Sequence, residues 1–139
     1  MDALKVQGVS VLVSMLPEAE AQELGIMDQA VRCSARGITY VSYPIPDFGL
    51  PEIEPFSILV TDLGTRLEAG VDIAVHCRAG IGRSGMVAAC TLVALGDTAL
   101  AAMAKVSAAR GVSIPDTVEQ GYFIAFFAQQ LNSVDPLSN

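Results

Sequence analysis

The stretch from Val71 to Leu95 constrains this chain more than any other. Val71 to His76 is a short apolar run that alternates only weakly, the pattern of a strand covered on both faces. Ser84 to Leu95 is apolar and alanine-rich over helical length, with no polar face to turn toward water. Such a helix has to lie in the interior, with other elements around it. A loop containing Gly80 and Gly82 joins the two. A buried strand feeding a buried helix requires a sheet with helices packed over it, which is an α/β arrangement.

The remaining segments supply the cover. Val9 to Met15 reads as a further buried strand closed by Pro17, and Ile38 to Tyr43 as another. Glu18 to Leu24 and Gln29 to Arg36 carry short helical patterns, with Gly25 and Gly37 just past their ends. Pro44, Pro46, Gly49 and Pro51 force a loop. A helix follows near Pro55, whose missing N–H suits a first turn. Its Phe56, Leu59, Val60, Leu63 and Leu67 share one face, and Gly70 ends it. Ala99 to Arg110 and Thr117 to Leu131 are two more helices, and the tail from Asn132 to Asn139 is polar. Strands alternating with helices give an α/β class with a mainly parallel sheet. The 139 residues are expected to form one domain, 1–139.

Composition narrows the function. Eight Lys and Arg against 15 Asp and Glu give a formal net charge of -7. Nucleic-acid binding and adhesion to anionic membranes usually need the opposite sign, so neither partner is expected. Three cysteines, Cys33, Cys77 and Cys90, form no paired framework, which suits a reducing compartment. A single histidine leaves no conventional zinc ligand set, and no metal or other cofactor is expected. Met1 to Val6 lacks a signal-peptide pattern, and the apolar run Met86 to Leu95 is too short to span a bilayer. We expect a cytoplasmic monomer.

The chemistry concentrates in His76-Cys77-Arg78-Ala79-Gly80-Ile81-Gly82-Arg83-Ser84-Gly85. A strand-to-helix junction of this kind places anions at the carboxyl end of a sheet and on a helix N-terminus. Gly80 and Gly82 let the backbone curl so that several N–H groups converge. The Arg83 guanidinium can hold two oxygens of a tetrahedral anion in a planar fork. Cys77 then sits under a cup of positive potential, which lowers a thiol pKa into the range of roughly 3.5–7.5. A thiolate beneath a phosphoryl group is a nucleophile aimed at phosphorus. Cys33 and Cys90 lack such surroundings and read as structural thiols.

The pattern H-C-x5-R-S resembles the signature of the cysteine-dependent protein tyrosine phosphatase superfamily, and the chain looks like its small dual-specificity branch. The resemblance implies a sheet of about four to five strands flanked by helices. It implies that Cys77 is the nucleophile and that Arg83 binds the phosphoryl group and its transition state. Residues Arg78, Ala79, Gly80, Ile81 and Gly82 then line the phosphate loop, and Ser84 assists departure of the sulfur. His76 supports the loop and tunes the thiolate.

Ester cleavage also needs a proton for the leaving oxygen. Asp47, between Pro46 and Phe48-Gly49, is the candidate. On its own, an Asp beside Pro and Gly is more often a turn former. The resemblance assigns it the general acid, since similar phosphatases carry a Pro-Asp after the second strand. The tyrosine-specific enzymes have Trp-Pro-Asp there, and this chain has no Trp. Gln120 is open to two readings. It has capping-box spacing from Thr117, and the resemblance gives it a role in placing the hydrolytic water.

The expected activity is therefore metal-independent hydrolysis of phosphotyrosine, with phosphoserine and phosphothreonine of proteins also in view. Phosphoinositide hydrolysis is the alternative, kept open by Arg78. A rhodanese-like sulfurtransferase is less favoured, because those loops are a residue shorter. A phospho-binding pseudophosphatase usually lacks the Cys, Arg or acid, and all three are present here.

Overall fold

The computed structural model describes residues 9–16, 29–45, 50–76, 82–110 and 117–133. Three strands occur among them: β1 (Val11–Ser14), β2 (Thr39–Ser42) and β3 (Ile73–His76). All pair in parallel, in the order β2-β1-β3. The helices are α1 (Gln29–Ala35), α2 (Ile53–Glu68), α3 (Gly82–Ala94), α4 (Ala99–Arg110) and α5 (Val118–Ser133). The α/β class and parallel sheet stand as expected. The strands among the described residues are the three segments whose patterning reads as strand, fewer than the four to five that the resemblance implied. The expected helix Glu18 to Leu24 lies outside the described residues.

The central strand shows why the sheet is covered on both sides. All four residues of β1 are buried, and they alternate between two cores. Val11 and Val13 join the main cluster with Phe56, Met86, Val93 and Phe127, whereas Leu12 packs with Cys33 and Ile38 on the side of α1. Burying a core side chain of this size stabilises by roughly 1.5–3 kcal/mol. Phe56 of α2 is the hub of the aromatic packing, with edge-on contacts to Tyr43, Phe123 and Phe127 at centroid distances of 6.0, 5.3 and 6.2 Å.

Helix α3 lies in the interior, as its lack of a polar face requires. It packs against α2, α4, α5 and β3, and Met86, Val87, Ala89, Cys90 and Val93 are all buried. Its buried Thr91 keeps its hydroxyl satisfied by donating to the Val87 carbonyl at 2.7 Å. At the far end, a Cβ on Gly64 of α2 would come within 3.2 Å of Leu95 Cδ2, so the two helices approach closely there.

The ends depart from the expectations by one or two residues, for local reasons. α2 begins at Ile53, ahead of Pro55, because no N–H of a first turn has an intrahelical partner. Its C-terminus closes on Gly70 at φ 88°, with Gly70 N–H donating to Leu67 and Val71 N–H to Arg66. That pair of bonds is the Schellman closure, which needs the left-handed conformation glycine tolerates. α3 starts at Gly82 rather than Ser84, so Arg83 and Ser84 belong to its first turn. Leu67, expected on the buried face, is 39% exposed at the rim of an apolar cleft. No helix among the described residues is long and apolar enough to cross a membrane.

Candidate active site

Parallel strands send their outgoing chains to one edge of the sheet, and here those ends are in register. Ser14 pairs with Ser42 on one side and His76 on the other. The segments 43–51 and 77–83 therefore depart from the same edge, the crevice where open α/β sheets bind ligands. The segment after β2 stays close to β1: Tyr43 N–H donates to the Ser14 carbonyl at 2.8 Å and Ile45 N–H to Met15 at 2.9 Å. Ser14 is itself buried, and its Oγ accepts from Leu16 N–H at 3.4 Å.

Arg83 is the central described residue of the site. It is 2% exposed, and its Nη1 donates to the Ile45 carbonyl oxygen at 2.7 Å. A buried guanidinium is costly without partners. The carbonyl orients the fork, and a guanidinium has further N–H donors of the kind that suit the oxygens of an anion. The bond also joins the start of α3 to the segment that leads into Pro46–Gly49. Ser84, wholly buried, shares the first turn with Arg83. That turn holds no acidic residue, so nothing of α3 competes for the positive end of its dipole.

Gln120 is buried in the first turn of α5, where it takes part in a local pair of hydrogen bonds. Gln120 N–H donates to Thr117 Oγ1 at 3.1 Å, and Thr117 N–H donates to Gln120 Oε1 at 3.2 Å. This is the reciprocal capping box read from the spacing. α5 packs on α3, so the cap steadies a neighbour of the site helix.

Of the other candidates, His76 ends β3 and Gly82 begins α3. Cys77, Arg78, Ala79, Gly80, Ile81 and Asp47 lie outside the described residues. The two other cysteines are buried, and burial pushes both thiols up. They are protonated at neutral pH and unsuited to attack. The Ile45 carbonyl was missed by sequence reasoning. A backbone acceptor leaves no side-chain signature, and it lies 38 positions from Arg83.

Comparison with known proteins agrees with this fold. The fold matches kinase associated phosphatase, solved with its catalytic-site cysteine replaced by serine, at a TM-score of 0.84 and 24% identity. That match covers 95% of this chain and 75% of the other. Human DUSP28 matches at 0.72 and 18% identity, over 96% and 87%. The architecture is thus that of the dual-specificity phosphatases. The Tc-R-P family model, described as a polymorphic toxin system DSP-PTPase phosphatase, matches residues 1–97, and the chain belongs to that family. Cyclin-dependent kinase inhibitor 3 of Rattus norvegicus is 34% identical over 108 residues, covering 73% of this chain. The chain spans about half, 51%, of that relative's length.

Proposed function

We propose that this domain hydrolyses phosphomonoesters of proteins through a cysteinyl-phosphate, with phosphotyrosine as the main substrate and phosphoserine or phosphothreonine also accepted. The observation that carries this is the buried Arg83 at the acid-free N-terminus of α3, held at the edge from which the Cys77 and Asp47 segments both leave. Family membership supports the same reading.

The steps follow from the residue chemistry. Arg83 and the amides of residues 78–82 hold the non-bridging oxygens. The Cys77 thiolate attacks phosphorus, an S–P bond forms, and the ester P–O bond breaks. Asp47 gives its proton to the leaving oxygen, and Ser84 stabilises the sulfur when it later departs. Water then attacks phosphorus while the Asp47 carboxylate takes its proton. The S–P bond breaks, releasing inorganic phosphate and restoring the thiolate. No step requires a metal ion.

The test is turnover of phosphotyrosine and phosphothreonine peptides beside phosphoinositides. Cys77→Ser is expected to abolish turnover with the fold retained by circular dichroism. Asp47→Ala should slow alkyl and phenyl phosphates by about 100-fold or more, and esters with good leaving groups far less. Near-normal activity in Cys77→Ser would overturn the mechanism. Turnover of phosphoinositides alone would overturn the protein substrate.

A further inference from the structure

Beside Ile45 lies a groove of about 240 Å³ with polar and apolar surface in similar measure, its described lining including Tyr43, Ile45, Leu50 and neighbouring prolines. Among the described residues, Glu52 is the charged one in its lining. Ile45 lines this groove, and its carbonyl accepts the Arg83 hydrogen bond, so one residue links the groove to the start of α3. The segment bearing Asp47 leaves from Ile45 and returns at Leu50, which are both lining residues.

Glu52 is an unexpected residue for its position. It is the N-cap of α2, yet its side chain makes no capping hydrogen bond. Ser, Thr, Asp and Asn cap helices well because their short side chains reach back to the backbone. The Glu52 carboxylate is exposed and left to the groove, near enough to the Tyr43 phenol to add to the rise in its pKa that burial begins. The Tyr43 ring is held in turn against Phe56. Proline and aliphatic faces beside an exposed carboxylate match a specific kind of side chain. Lys and Arg lay an apolar stem along such faces and present a cation at the tip. The net charge of -7 favours approach of basic segments as well.

We propose that this groove receives a residue flanking the phosphorylated side chain of an extended peptide, and that Glu52 selects Lys or Arg there. This rests on the phosphatase reading above for the position of the phosphate.

The test uses matched phosphotyrosine peptides with Lys, Ala or Glu at each flanking position. Turnover is measured with the wild-type protein, and binding with Cys77→Ser by fluorescence polarisation. Lys over Glu is expected to gain about three- to tenfold at low ionic strength and to shrink with added salt. Glu52→Gln should bring the ratio close to one, and Glu52→Lys should reverse it. A Lys preference surviving in Glu52→Lys, or no ranking in the parent protein, overturns the proposal. Ranked binding with no turnover of any peptide would sink the phosphatase reading and leave the groove assignment standing. Turnover without ranking would do the opposite.

Discussion

At the scale of single residues, Arg83 carries two duties with one side chain. In the proposed mechanism it grips the phosphoryl group, and in the structure it ties the start of α3 to the Ile45 carbonyl. The duties separate under Arg83→Lys, which keeps the charge but loses the planar fork. We expect kcat/KM to fall by about 100-fold or more, the scale seen when a transition-state donor is lost. Losing the buried hydrogen bond should cost about 1–3 kcal/mol, measured by denaturant unfolding. Activity within a few-fold of the parent would leave Arg83 only its structural tie. The sequence made Arg83 conspicuous because its neighbours, Cys77 and two glycines, form a local pattern. It could not show Ile45 or the side chain of Glu52, since one is a backbone group and the other depends on where α2 begins.

At the scale of elements, what was legible is what is locally determined. Gly37 and Gly70 mark helix ends because the closing turn needs a positive φ, and both adopt one, at 72° and 88°. The Thr117–Gln120 box was legible for the same reason, since both partners lie within one turn. Leu67 was misplaced because a helical face read from periodicity says nothing about which neighbour reaches that far. The Gln120 ambiguity is resolved by three variants. Thr117→Ala and Gln120→Ala should each cost about 1 kcal/mol, as loss of a cap does. Gln120→Glu keeps an oxygen for the box and removes the amide NH2. We expect turnover within about twofold of the parent, with a lower melting temperature at neutral pH because the new carboxyl is buried. A loss of kcat in Gln120→Glu far beyond that in Thr117→Ala, with both variants still folded, would instead give the amide a part in the hydrolytic step.

At the scale of the whole molecule, the interior position of α3 has a consequence for pH. Cys90 faces the core from that helix, and burial pushes its pKa above the ordinary 9.0. Cys33 and the Tyr43 phenol move the same way, chiefly through burial. A raised acid keeps its proton in the folded state while the unfolded chain releases it. The stabilisation is complete below the unfolded value and drains away as pH rises past it, by up to about 1.4 kcal/mol per pH unit for each fully protected thiol. Stability should therefore be insensitive to these groups near neutrality and fall above about pH 9. Urea unfolding from about pH 8 to about pH 11 measures it. Cys90→Ala should lower stability at neutral pH by removing a packed sulfur, yet flatten the alkaline slope by about one group's worth. The crossing of those two effects separates packing from titration. A slope unchanged in the Cys33→Ala, Cys90→Ala double variant would place the alkaline sensitivity on other groups.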